Sequence, residues 1–122
     1  MERRRNILLE KADEFGERIV KMHKYLVSEK KEFIISKQVL RSGTSIGANL
    51  TESRNAQSTL DYLSKQNIAL KEADETSYWL KKLYEGDYLN EKEFNSIHND
   101  CEELIRMLVS SVKTLKAKIG RP

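Results

Sequence analysis

The chain has 122 residues, of which 34% are charged, with 22 Lys and Arg against 19 Asp and Glu, one proline and five glycines. That length holds one domain with a real core and excludes a second, and the scarcity of turn residues calls for a few long elements. A net charge of +3 selects no partner by itself, so a charge-driven role must come from how the charges are distributed.

Apolar residues recur at helical spacing between well-charged faces, which predicts an all-α fold. Cys101 is the lone cysteine and no basic n-region leads into an apolar stretch, so a reducing, cytoplasmic setting is expected. The longest uncharged run, Ser42 to Thr51, is too short and too polar to cross a bilayer, and no membrane partner is expected.

The first helix is predicted over about 5–27, where Leu8, Ala12, Phe15, Ile19, Met22 and Leu26 are spaced 4, 3, 4, 3, 4. Ser28-Glu29-Lys30-Lys31 closes it. Phe33, Ile34 and Ile35 then read as an apolar clasp folding back over the bundle end, and Ser36 as the N-cap of a second helix over about 37–55. Ser58-Thr59-Leu60-Asp61 has the form of a capping box with Asp in place of Glu, and it opens a third helix over 59–85 that ends at Gly86, a residue suited to the left-handed conformation. Its main seam is expected at Leu63, Leu70, Ser77 and Tyr84, with Ala73 and Leu80 between, beside a second stripe of Tyr62, Ala69, Thr76, Trp79 and Leu83. Asn90-Glu91-Lys92-Glu93 is a second capping box, flanked by Leu89 and Phe94 at the positions of a hydrophobic staple. It starts a fourth helix over 91–119 whose seam runs through Phe94, Ile97, Cys101, Leu104, Leu108, Val112, Leu115 and Ile119. Short connections make consecutive helices antiparallel, so the expected fold is an up-down-up-down four-helix bundle in a single domain, 1–122.

The unusual stretch is Leu40 to Glu52, which reads as the middle of a helix yet holds Gly43 and Gly47. Two interior glycines cost about 2 kcal/mol relative to alanine, and close helix packing is what only small residues permit. Val39, Gly43, Ile46 and Leu50 form one apolar seam, while Ser45, Asn49 and Glu52 repeat the spacing on an adjacent polar face.

The run from Val39 to Glu52, followed by Ala69-Leu70-Lys71-Glu72-Ala73-Asp74-Glu75-Thr76, resembles the bacterial four-helix-bundle proteins known as 23S rRNA intervening-sequence proteins or S23 ribosomal proteins. Ser45-Ile46, Asn49, Glu52 and Glu75 carry the specific part of the likeness. Many members have proline and glycine near the positions of Gly47 and Arg54, where this chain has neither the proline nor the second glycine. The resemblance implies a small bundle assembling as a ring-like homopentamer, without established enzymatic activity. The chain is also similar to the accessory variability protein of diversity-generating retroelements, a likeness that implies a basic pentameric bundle binding nucleic acid and another protein.

Ser45, Asn49, Glu52 and Glu75 form either a functional polar site between helices two and three or a structural network fixing register or a subunit contact. No nucleophile, histidine base or metal-ligand set accompanies them, so no enzyme, cofactor or metal is expected. Gly43-Thr44-Ser45-Ile46-Gly47 is not a phosphate loop, because Ala48-Asn49 stands where Lys and Ser or Thr would be needed. His98 and Cys101 are one turn apart, a spacing that fits a core thiol with a flanking imidazole better than a metal site.

In the expected topology one pole collects Arg3, Arg4, Arg5, Arg54, Lys65, Lys113, Lys116, Lys118 and Arg121. Repeated around an oligomer, that pole suits phosphate backbones of RNA or DNA, and the rival reading is charge that complements the dipole of helix four and keeps the surface solvated. Trp79, Tyr62 and Leu83 either face a subunit interface or pack under the clasp. The expectation is therefore a non-enzymatic homo-oligomeric bundle holding nucleic acid on its basic pole. Its alternative is a scaffold for another protein, with no nucleic-acid role.

Overall fold

A computed structural model describes residues 6–120 and contains four helices, α1 (Ile7–Ser28), α2 (Ile35–Ser53), α3 (Thr59–Glu85) and α4 (Glu91–Ile119). Each helix packs on the next, and α4 returns to α1, which closes an up-down-up-down bundle. No strand is present among the described residues.

Helix starts follow local chemistry. Asn6 accepts from the Leu9 amide at 3.0 Å, and Asn90 and Glu93 form the full reciprocal box, with Leu89 buried and Phe94 half-buried on the core. Ser58 accepts from the Asp61 amide, but Asp61 reaches the Gln57 amide at 3.2 Å, one residue before the expected Ser58, so that box is only half closed.

The start of α2 corrects two expectations. Ser36 is not the N-cap: its hydroxyl donates to the Glu32 carbonyl at 2.7 Å, and the helix begins at Ile35, two residues before the expected start. The free amides are met instead by the Glu32 side chain, which accepts from Ser36 N at 2.7 Å and Ile34 N at 3.3 Å. Burial alone would push this carboxyl up, but the amides of Ser36, Ile35 and Ile34 outweigh it and hold Glu32 below its ordinary value. The second correction is the clasp. Phe33 and Ile34 are 59% and 76% exposed, and Ile35 alone of the three packs on the core. Turning the chain to reach the Glu32 cap points the two preceding side chains outward.

At the end of α3 the left-handed residue is Asp87, with φ 65°, and Gly86 keeps φ −85°. Tyr88 N donates to Leu83 O and Asp87 N to Tyr84 O, the paired bonds of a Schellman ending. Asp tolerates the left-handed region better than most side chains, so a glycine there was not needed.

The core is built on Phe15, Ile19, Leu26, Ile46, Leu80, Leu104 and Leu108, all nearly inaccessible. The inward line of α3 is Ala69, Ala73, Thr76, Leu80 and Leu83, with Ser77 also buried, so Ala73, Ser77 and Leu80 of the expected main seam face the core, while Leu63 and Leu70 are half-buried and Tyr84 is exposed at the flank. Small residues occupy the line because α2 and α4 both grip α3 closely there. Hydroxyls stitch the same region: Thr76 donates to Ser42 at 2.9 Å, and Ser111 to Gln66.

Helix lengths differ. At 1.5 Å per residue α1 and α2 span about 33 and 29 Å, and α3 and α4 about 40 and 44 Å. The Lys11–Glu103 pair marks the α1–α4 register, by which about three turns of α4 run past the described start of α1.

Candidate functional site

The polar stripe of α2 is wired differently from the sequence expectation. Ser45 donates to the Arg41 carbonyl at 2.7 Å and Asn49 to the Ser45 carbonyl at 2.8 Å, so both side chains serve their own helix, and Glu52 is exposed. Glu75 is met from α2 by Arg41, whose guanidinium binds Glu75 and, at 3.1 Å, Glu72. The Trp79 indole donates to the same Glu75 oxygen at 3.0 Å. The Trp79 bond and then the Arg41 contact hold the Glu75 carboxyl below its ordinary value, against the opposing effect of burial. Arg41 was missed because an exposed arginine on a charged helix carries no marking in sequence. Only its position one turn before Ser45, on the same stripe, points toward α3. Together with the buried Ser42–Thr76 bond just inside it, this cluster fixes the register of α2 on α3.

Gly43 is buried against α1, where an added Cβ would stand 2.8 Å from Ile19 Cγ1. Gly47 is looser, with 3.6 Å to the Ala12 carbonyl, and it borders a shallow α1–α2 groove of about 460 Å³ shared with Gly16, Ala48 and Val20. Both glycines lie in unbroken helix, so their amides are aligned along the helix axis and cannot gather around a phosphate.

The His98 and Cys101 side chains diverge. Cys101 donates to the Ala73 carbonyl at 3.4 Å, and burial pushes its thiol up to about 12. His98 Nε2 lies 2.9 Å from Ser77 Oγ and 3.3 Å from Glu102, and its ring stacks on Phe94, which stacks on Tyr84. Burial holds the imidazole below its ordinary value, against the pull of Glu102. This is not a serine–histidine–acid relay, because serine and carboxylate share one ring nitrogen and, among the described residues, nothing orients the other. No group of three or more His, Cys, Asp or Glu suited to a metal occurs among the described residues.

Of the basic pole, Arg3, Arg4, Arg5 and Arg121 lie outside the described residues. Arg54 is exposed just past the end of α2, Lys65 is half-buried, and Lys113, Lys116 and Lys118 are exposed on the last turns of α4. Arg106, two turns before Lys113 on the same face, joins them and was missed because it stands alone in an apolar stretch. Glu103 is the last acid of α4, so the helix beyond it is purely basic. Between these cations and the start of α1 lies a groove of about 510 Å³ with Leu8, Leu50, Tyr62 and Met107 as apolar walls. Arg106, Asn6 and Ser110 border it, and Gln66 is nearly inaccessible at its base.

Among the described residues no helix is long and apolar enough to cross a membrane. No curated protein matches the chain. It is similar to a solved structure described as a protein with unknown function from the S23 ribosomal protein family of Bacteroides thetaiotaomicron VPI-5482. The two share 50% identity and a TM-score of 0.87 over 88% of this chain and 99% of that one. Residues 4–110 match the family model of the 23S rRNA-intervening sequence protein. With its bundle and most of its length accounted for, the chain belongs to the 23S rRNA-intervening sequence protein family.

Proposed function

We propose that this chain is a non-enzymatic, cytoplasmic bundle that self-associates, as a homopentamer, and holds the phosphate backbone of RNA or DNA on its basic pole. The observation that carries the reading is the second half of α4: Arg106, Lys113, Lys116 and Lys118 are exposed, and no carboxylate pairs with any of them among the described residues. Unpaired cations gathered at one pole raise local potential well above what a net charge of +3 suggests, and a ring would multiply them. Membership in a family described by an rRNA intervening sequence supports the reading. Backbone contact rather than base sequence is the expected mode, since most of these cations are lysines without a bidentate partner geometry.

The test is fluorescence anisotropy with a structured RNA at rising salt, with native mass spectrometry of the same preparation. Wild-type affinity falls with salt, and Lys113→Glu with Lys116→Glu weakens binding and lowers the salt slope by about 1 per lost contact. Absence of binding at low ionic strength overturns the nucleic-acid reading, and a monomeric mass overturns self-association. A second reading, a scaffold for another protein, is favoured by the adjacent exposed Phe33 and Ile34 at the opposite pole.

A further inference from the structure

We propose that the groove at the basic pole takes an unpaired nucleobase, so that the nucleic acid held there is single-stranded. This rests on the reading above and narrows it. All four helices meet at this pole, and the first turn of α1, Leu50 of α2, Tyr62 and Gln66 of α3 and residues 106–111 of α4 enclose the groove of about 510 Å³. Its size lies within the range of small-ligand pockets. Tyr62 gives it an aromatic wall and Leu50 and Met107 an apolar one, while Arg106 stands at its rim with Lys113 two turns further along the same face of α4.

An aromatic surface beside a line of cations is the arrangement that stacks a base while its phosphates run over the charges. A base in a duplex is already stacked and paired, and a duplex is too wide to enter a slot between helices. Only a base free of its partner reaches Tyr62. Carboxylates nearby do not spoil the complementarity: Glu103 is paired with Lys11 at 3.0 Å, and Asp61 accepts from the Gln57 amide. Asn6 and Ser110 offer polar edges to the base without the paired donor and acceptor geometry that reads one base over another.

Anisotropy of a fluorescein-labelled oligo-uridine strand is compared with that of an RNA duplex of equal length. The strand binds more tightly than the duplex, and Tyr62→Ala lowers strand affinity about tenfold with duplex affinity unchanged, whereas Tyr62→Phe retains it. Because Tyr62 is half-buried, Ser110→Leu at the exposed rim serves as a second variant that fills the mouth without altering charge. It reproduces the selective loss. Equal affinity for strand and duplex, or loss of both together in Tyr62→Ala and Ser110→Leu, overturns the groove while leaving backbone binding intact. Displacement of the strand by uridine monophosphate at equal concentration assigns the groove to a free nucleotide and likewise overturns the proposal. Failure of wild type to bind either probe at low salt is the failure of the underlying reading instead.

Discussion

The two flanks of α1 are closed by opposite means. Toward α2 it meets a glycine, and Ile19 occupies the space where Gly43 has no side chain. Toward α4 it is bridged by long charged side chains, with Lys11 on Glu103 and Arg18 on Asp100 and Ser96, beside an open groove of about 540 Å³. At Gly43 the small-residue seam is dry and excludes an added atom, although one turn on at Gly47 it opens into the shallow α1–α2 groove, whereas a seam of long polar side chains stays wet and tolerates change. The difference explains how one helix can be both anchored and accessible.

The strongest way to break the contrast is Gly43→Leu. It overpacks a buried seam and should cost about 3 kcal/mol in urea unfolding; Gly43→Ala should cost about 1 kcal/mol despite its gain in helix propensity, because the β-branched Ile19 cannot swing away. Wild-type stability in Gly43→Ala would remove close packing from the account. Gly47→Ala tests the same helix one turn on and should reverse the sign, stabilising by about 0.5–1 kcal/mol, since its Cβ meets the Ala12 carbonyl at an ordinary 3.6 Å. On the wet flank, Arg18→Ala should cost less than about 1 kcal/mol, and the loss should shrink further in high salt. A salt-independent loss of several kcal/mol would mean that this seam is as closed as the other.

The smallest effect sharpens the picture on the α3–α4 side. His98 has its folded value lowered from 6.5, so the unfolded chain takes up its proton first as pH falls. Its contribution is complete above pH 6.5 and is lost as pH drops through the lower folded value. Glu102 and Lys81 are the charges that act on the ring, with opposite effects, and Ser77 and Phe94 pack against it. His98→Gln should therefore flatten the stability profile between neutral pH and about pH 5. An unchanged slope in that variant would assign the pH dependence to other groups.

Helix number, type and approximate bounds were legible in the chain, because apolar spacing and the Asn90–Glu93 box act within a few residues of one another. The buried role of Gly43 was legible for the same reason, from its place in the Val39–Leu50 seam. What needed the folded structure were pairings between distant segments: Arg41 with Glu75, Gln66 with Ser111, Ser77 with His98. A side chain's partner across a helix interface depends on axial register and rotation, and these are set by the whole packed core rather than by the local stretch. The outward turn of Phe33 and Ile34 was missed for a different reason: the Glu32 carboxylate that decided it acts locally, as a cap on the Ile34 and Ser36 amides, but a glutamate at that position carries no cap signature. The groove at the basic pole likewise needs the folded structure, since all four helices supply part of its lining. Local spacing proposes the rods, and only their mutual packing determines where the ends fall and which side chains remain open to a partner.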